Sequence, residues 1–264
     1  MDVVKALTIL KKYVDLIEET DPQYKAIKKL VDVLGDKALP IIVGNALISY
    51  RLSSTGEQYW NELADYFSKN PNSTLEEFLK QSKFNRALRE QKLKRLKKAE
   101  ELLKELSEDP LKFSDLDLLR SRLAEVFKSR GTEKTIVFAA KMAYYFYKAK
   151  GIEVKGDVPL PIDLRIATLT CTSGVLYDEP ERIMEVLREE AMNKWSEIAK
   201  EAGIKTLHLD AILWVPMRGV REKLMKQGVE EAREKFKSNL ESLGVKEAEE
   251  VSKLLIVKPC PSST

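Results

Sequence analysis

A lysine and an aspartate stand at the starts of two consecutive helical segments, where each has the chemistry of a catalytic group. Lys134 follows a basic, Gly-containing turn, and Thr132 is a favourable N-cap, so Lys134 is predicted in the first helical turn. The positive potential at a helix N-terminus disfavours an ammonium relative to a neutral amine, and only the neutral amine is a nucleophile. Asp163 comes two residues after Pro161, where the same potential favours an ionised carboxylate. The alternative is that both are ordinary solvated or capping residues.

The spacing after Lys134 places three functional side chains on one helical face. Lys134, Phe138 and Lys141 stand at positions i, i+4 and i+7 of the predicted helix. One cleft could therefore hold a nucleophile, an aromatic surface and a second amine. Lys141 lies within an apolar run, so it is either a buried hydrogen-bond donor or a lysine whose amine reaches water.

Four further residues stand where a side chain can enter a cleft or the core. Gln23 falls in the first turn of a helix begun by Asp21-Pro22, a position usually solvated. Trp60 has the helical spacing typical of core packing. Asp210 and Trp214 stand at i and i+4 of a short predicted helix, where an acid beside a tryptophan is most often structural.

Helical periodicity recurs along the chain while alternating strand patterns are nearly absent, which predicts an all-α fold. At 264 residues the chain can form one domain or two closely packed helical ones. Residues 37–52 are apolar almost all round and predict a buried central helix. Residues 84–106 predict one long basic helix, whose cations either face solvent or follow a phosphate backbone. The segments 114–128 and 132 onward predict the two arms of a helical hairpin.

The composition excludes several kinds of site. Charged residues make up 33% of the chain with a net charge of +3, so a nucleic-acid surface requires local clustering of cations. One His and two Cys argue against a His-based metal site, a catalytic triad or a four-Cys iron–sulfur cluster. Abundant Lys and Glu are typical of hyperthermophile proteins. Without a secretory signal or a membrane span, we expect an intracellular protein with reduced thiols.

These motifs together resemble a known family. A Gly-containing hairpin, the run Lys134-Thr-Ile-Val-Phe-Ala-Ala-Lys141-Met and the loop Val-Pro-Leu-Pro-Ile-Asp163 are similar to the archaeal 8-oxoguanine DNA glycosylases, a divergent branch of the helix-hairpin-helix glycosylases. The resemblance extends from Asp21 to Pro216. The hairpin Ser-Arg-Gly131-Thr-Glu lacks the Gly-apolar-Gly pattern of the wider superfamily, which fits the irregular hairpin of the archaeal branch.

The resemblance implies a fold and a reaction. The implied fold is a single helix-hairpin-helix glycosylase-like unit with the active site in a cleft between two closely packed helical subdomains, one central (about 37–150) and one built from the terminal helices. The implied activity is a bifunctional glycosylase and lyase that removes 8-oxoguanine through a lysine imine and cuts the strand by β-elimination. The implied enzyme is an intracellular, nucleoid-associated monomer that acts on double- and single-stranded DNA without cofactor or metal.

The resemblance also implies roles for individual residues. Lys134 would be the imine nucleophile, and Asp163 would activate it and stabilise the cationic sugar. The residues that would contact the damaged base are Gln23, Trp60, Phe138, Lys141, Asp210 and Trp214.

Two other classes of function remain open from the residues themselves. A non-catalytic helix-hairpin-helix DNA-binding protein would use Lys134 only to contact phosphate. An all-helical interaction scaffold would have no nucleic-acid role. Neither accounts for Lys134, Asp163 and the aromatic residues together.

Overall fold

The computed structural model describes residues 2–262, which form α-helices joined by short connections and 3-10 turns. The α-helices of this part of the chain are α1 Asp2–Leu10, α2 Val14–Thr20, α3 Pro22–Leu34, α4 Ala38–Leu47, α5 Gly56–Lys69, α6 Leu75–Gln81, α7 Arg89–Lys98, α8 Glu100–Glu108, α9 Leu116–Phe127, α10 Lys134–Lys150, α11 Leu164–Thr172, α12 Pro180–Glu185, α13 Arg188–Ala202, α14 Leu209–Trp214, α15 Val220–Gln227, α16 Val229–Ser242 and α17 Ala248–Leu255. Extended pairing within residues 2–262 is limited to one isolated bridge, between Asp115 and Lys155. The all-α prediction is confirmed. None of the described helices is long and apolar enough to cross a bilayer.

The chain divides into two compact units. The first, here called the terminal unit, combines the chain up to Asp21 with the chain from Pro159 onward, and the second comprises residues 22–158. The 22–158 unit contains the range of about 37–150 predicted for a central part. The division of the fold into a central subdomain and a terminal subdomain stays a prediction.

Helix α10 forms the core of the 22–158 unit. Every residue from Ile136 to Tyr147 except Phe138 is buried, and the helix packs against α3, α4 and α9. Helix α4 is apolar on nearly all sides and buried along most of its length, as predicted for the segment 37–52. Because the middle of α10 is buried on nearly all sides, its exposed side chains lie mainly in the first and last turns.

A buried polar network fixes α5 and α7 to α4. The Tyr59 hydroxyl on α5 donates to Asn45 Oδ1 on α4 at 2.5 Å, and Asn85 Nδ2 donates to the Tyr59 oxygen at 2.8 Å and to the Ile48 carbonyl at 3.0 Å. Lys92 Nζ on α7 donates to Asn85 Oδ1 at 2.5 Å, and Lys92 is fully buried. Buried polar groups that satisfy one another in this way specify one arrangement of the helices.

The predicted long basic helix at 84–106 is wrong in its extent. Leu88 adopts a left-handed conformation (φ 57°) directly before α7, and the α-helical pattern is interrupted again at Ala99 (φ −88°, ψ −2°). The buried positions of α7 and α8 keep one helical spacing through the break, so periodicity along the sequence does not reveal it. Helix α8 follows as a separate amphipathic helix.

In the terminal unit, a disulfide joins Cys171 on α11 to Cys260 near the chain end. The expectation of reduced thiols is wrong, because folding brings together two cysteines 89 residues apart. The Val257 N–H also donates to the Thr172 carbonyl at 3.0 Å. Closing so long a loop reduces the entropy of the unfolded chain and so stabilises the folded state. Intracellular disulfides are known from hyperthermophiles, which agrees with the composition.

The buried Lys92 generates a prediction about stability and pH. Burial, followed by the like charge of Arg89, lowers the pKa of Lys92 from 10.5 to about 8. Between these values the unfolded chain still binds a proton that the folded chain has lost, so this residue makes stability rise with pH. We expect the free energy of unfolding of the native protein to increase from about pH 8 to about pH 10.5 relative to Lys92→Met. Urea denaturation of both proteins across this range measures it, and parallel pH curves would contradict it.

Candidate active site

The hairpin before α10 is closed by a carboxylate. Glu133 accepts hydrogen bonds from the backbone N–H groups of Arg130 (3.3 Å) and Gly131 (3.0 Å), and Gly131 has a left-handed backbone (φ 84°). Burial raises the pKa of Glu133, but hydrogen bonds from backbone N–H groups outweigh this effect and hold it below its usual range. Glu133 therefore stays an anion that organises the turn.

Lys134 is the first residue of α10. The sequence predicted Thr132 as N-cap, but the N-cap is Glu133, which has extended backbone angles (φ −61°, ψ 142°). The Glu133 carboxylate accepts hydrogen bonds from N–H groups that precede it in the hairpin. The residue preferences known for N-caps do not describe such bonds. The prediction that Lys134 lies in the first turn is nevertheless confirmed. Its side chain is exposed, so its amine is accessible to a substrate.

The face predicted for α10 has an aromatic pair at its middle. Phe138 is half-buried, and its ring meets that of the fully buried Trp60 edge to face, with centroids 6.0 Å apart and an interplanar angle of 81°. Trp60 thus packs in the core, as its spacing alone indicates, and also supports Phe138 from behind. The two rings touch, so a base could lie between them only if they separated.

Lys141 is a buried amine, which decides between the two sequence alternatives. It is 1% exposed, and its Nζ lies 4.5 Å from the centroid of the Tyr145 ring and 5.6 Å from that of Tyr144. Tyr145 in turn contacts Tyr24 edge to face at 5.1 Å. Aromatic faces attract a cation, so these rings stabilise an ammonium out of bulk water.

Gln23 is buried rather than solvated, with 5% exposure in the first turn of α3. It lies against Gly56, the first residue of α5, where an added Cβ would come within 2.6 Å of Gln23 Nε2. A capping box between Thr55 and Gln58 fixes the start of α5 beside it. Gly56 was not predicted from the sequence, because its importance arises only from this contact.

In the terminal unit, Asp163 uses both carboxylate oxygens. Oδ1 accepts the backbone N–H of Ile166 at 2.9 Å and so caps α11, and Oδ2 accepts the indole N–H of Trp214 at 2.6 Å. The Arg165 guanidinium lies 4.1 Å from the centroid of the Trp214 ring. Trp214 is therefore held in its plane by Asp163 and over one face by Arg165. Asp210, one turn earlier on α14, is buried with 7% exposure.

The predicted site residues thus fall into two groups. Those in the 22–158 unit are Gln23, Trp60, Lys134, Phe138 and Lys141, and those in the terminal unit are Asp163, Asp210 and Trp214. Contacts within the units join Trp60 to Phe138 and Asp163 to Trp214. Arg165 was missed, and only the short spacing from Asp163 in the sequence could have indicated it. Within residues 2–262, no three His, Cys, Asp or Glu side chains are grouped as metal ligands.

Comparison with known proteins identifies the chain. A family model described as N-glycosylase/DNA lyase matches residues 4–252. Proteins of that name from Methanopyrus kandleri and Thermococcus kodakarensis are 36% and 35% identical, and the matches cover 80% and 78% of this chain and 84% and 78% of the relatives. The crystal structure of the 8-oxoguanine DNA glycosylase of Pyrobaculum aerophilum, complexed with 8-oxoguanosine, matches with a TM-score of 0.76 at 27% identity over 98% of both chains.

The helical fold, the hairpin and these similarities define a DNA glycosylase that also acts as a lyase. The chain belongs to the AGOG family of N-glycosylase/DNA lyases. The family expected from its sequence motifs is confirmed.

The two hydrogen bonds of Asp163 predict how much its side chain contributes to the free energy of unfolding. Asp163→Ala removes the cap of α11 and the partner of Trp214, so we expect it to lower the free energy of unfolding by about 1–3 kcal/mol. Asp163→Asn keeps one oxygen to cap α11 but turns an NH2 donor towards the Trp214 N–H, so it should lose less than Asp163→Ala without retaining native stability. Urea denaturation followed by circular dichroism compares the three proteins. Equal losses in the two variants would show that the cap contributes little.

Proposed function

We propose that this enzyme removes 8-oxoguanine from DNA and then cuts the strand, with Lys134 as the nucleophile. The observation that carries the proposal is the exposed lysine at the first position of a helix whose following turns are buried. Support comes from the relatives, which are named for both activities, and from the similar Pyrobaculum aerophilum enzyme, which is named for 8-oxoguanine.

The reaction needs a lysine amine and a flipped nucleotide. Flipping costs a few kcal/mol, which binding to the rest of the DNA offsets. The Lys134 nitrogen attacks the anomeric carbon as the bond from that carbon to the base breaks, and the base leaves with the electron pair and takes up a proton. The sugar ring opens to an imine on Lys134. Loss of a proton from the adjacent sugar carbon then expels the 3′ phosphate, which is β-elimination.

Asp163 has an electrostatic role in this proposal. Its two hydrogen bonds, from Ile166 N–H and Trp214 Nε1–H, fix the orientation of the carboxylate. An anion fixed in this way stabilises the positive charge that develops on the sugar without reorganising. Asp163 also assists the loss of a proton from Lys134.

Recognition of the base must detect a change at its imidazole edge. Oxidation at carbon 8 turns nitrogen 7 from an acceptor into a donor, so a buried acceptor selects for the lesion. The buried Gln23 amide supplies this acceptor, and Phe138, supported by Trp60, supplies an aromatic surface. Lys141, Asp210 and Trp214 contact the remaining polar edges of the base. The enzyme acts on the DNA of the cell interior, at the nucleoid, as a monomer.

Covalent trapping tests the nucleophile. Borohydride reduces an imine to a stable amine, so we expect the native protein to form an adduct with an oligonucleotide that carries one 8-oxoguanine, and Lys134→Gln to form none. Lys141→Gln should still be trapped, because its amine is not the nucleophile. Loss of trapping in Lys141→Gln alone would move the reaction to that lysine. Tight DNA binding without any native adduct would make the protein a binder only.

Gln23 and its neighbour Gly56 test lesion recognition. Gln23→Ala should lower the preference for 8-oxoguanine over guanine by about tenfold or more, because the acceptor for the new N–H is lost. Gly56→Ala should lower it as well by displacing the Gln23 amide. Single-turnover rates on both bases measure the ratio. Gln227→Ala, a change at an exposed residue, is the control. An unchanged ratio in Gln23→Ala would show that Gln23 does not distinguish 8-oxoguanine from guanine.

A further inference from the structure

A cavity opens in the 22–158 unit beside the first turn of α10. Its volume is about 480 Å³, within the ~300–1,000 Å³ of ligand pockets. Its lining includes Tyr50, Lys94, Arg95, Lys98, Phe127 and Thr135. Thr135 directly follows Lys134, and Phe127 ends α9, so the cavity adjoins both arms of the hairpin. None of the residues assigned above to the base pocket lines it.

The side chains that line the cavity include three cations. Gln91, Lys94, Arg95 and Lys98 stand at i, i+3, i+4 and i+7, which is one face of α7. No carboxylate lines the cavity, and among residues 2–262 neither Lys94, Arg95 nor Lys98 forms an ion pair. Lys237 of α16 and Lys253 of α17 differ, since each pairs with a carboxylate of its own helix. Glu133, which does not line the cavity, acts on Arg95 through its charge, whereas Lys94 and Lys98 have no ion-pair partner among residues 2–262.

The walls of the cavity are rigid and aromatic. The Arg95 guanidinium lies 4.1 Å from the centroid of the Phe127 ring and donates to the Leu47 carbonyl (2.8 Å) and to Thr135 Oγ1 (2.5 Å). Burial lowers the pKa of Arg95 from its usual value, and the charge of Glu133 partly opposes this effect. The Tyr50 hydroxyl donates to Gln91 at 2.7 Å. Aromatic rings and guanidinium planes are the surfaces on which unpaired bases stack.

We propose that this cavity binds one nucleotide of the DNA other than the lesion, with its phosphate at Lys94 and Lys98 and its base against Tyr50 and the Arg95–Phe127 pair. The inference rests on the proposed function in one respect, that DNA is the substrate. A phosphate alone would need the cations but not the rings, and an apolar ligand would need the rings but not the cations. The nucleotide comes either from the lesion strand or from the opposite strand.

Binding to an uncleavable site separates this subsite from the chemistry. The probe is an oligonucleotide with a tetrahydrofuran abasic analogue, single-stranded or duplex, measured by fluorescence anisotropy over a series of salt concentrations. The slope of log K against log salt is negative, and loss of one phosphate contact reduces its magnitude by about 0.9 for duplex and about 0.7 for single strands. We expect Lys98→Gln to reduce the magnitude of the slope by this amount. Lys104→Gln, a change at an exposed residue of α8, should leave the slope unchanged.

Phe127→Leu tests the stacking surface. It should weaken binding about tenfold without changing the salt slope, because no charge is removed. Weaker binding to both forms of DNA assigns the nucleotide to the lesion strand, and weaker binding to the duplex alone assigns it to the opposite strand. Native-like affinity in Phe127→Leu, or equal slopes in Lys98→Gln and Lys104→Gln, would overturn the proposal.

Trapping on 8-oxoguanine DNA keeps the two proposals distinguishable. At saturating DNA, Lys98→Gln and Phe127→Leu should form the same yield of borohydride adduct as the native protein. Loss of the adduct in these variants would place the cavity within the catalytic site and overturn its assignment as a separate subsite. Absence of an adduct in the native protein would refute the glycosylase mechanism, while the anisotropy data would still decide whether the cavity binds DNA.

Discussion

The Glu133 carboxylate sets the position at which α10 begins, and the site in the 22–158 unit depends on that position. By accepting the N–H groups of Arg130 and Gly131 it turns the chain and makes Lys134 the first residue of the helix. A start one residue later would leave Lys134 outside the helix, away from the positive potential of its first turn. The exposed Lys134 and the buried stretch that begins at Ile136 thus both follow one cap.

A second carboxylate plays the equivalent part in the terminal unit. Asp163 caps α11 with one oxygen and holds the Trp214 indole with the other. The same bonds that stabilise the fold also orient the carboxylate, so removal of the side chain would not separate a structural role of Asp163 from the catalytic role proposed for it. Only a substitution that retains the cap, such as Asn, changes the charge while leaving the helix start intact.

The sequence was informative where local rules decide the structure. The all-α class and the placement of Lys134, Phe138 and Lys141 on one helix follow from periodicity and spacing. The N-cap of α10 was predicted one residue early, because the bonds of Glu133 run back into the hairpin. Such contacts leave no periodic signal in the chain.

Contacts between distant residues could not be predicted from the sequence in the same way. Trp214 meets Asp163 across 51 residues and Cys171 meets Cys260 across 89, and no spacing rule links either pair. The break between α7 and α8 also left no signal in the sequence, since the buried positions keep helical spacing through it.

The most direct test of the account is to locate the covalent bond itself. The native protein, reduced with borohydride in the presence of 8-oxoguanine DNA, can be digested and its peptides mapped by mass spectrometry. The account predicts a single modified peptide in which the sugar remnant is attached to Lys134. A remnant on Lys141, on the N-terminal amine or on any other lysine would contradict it.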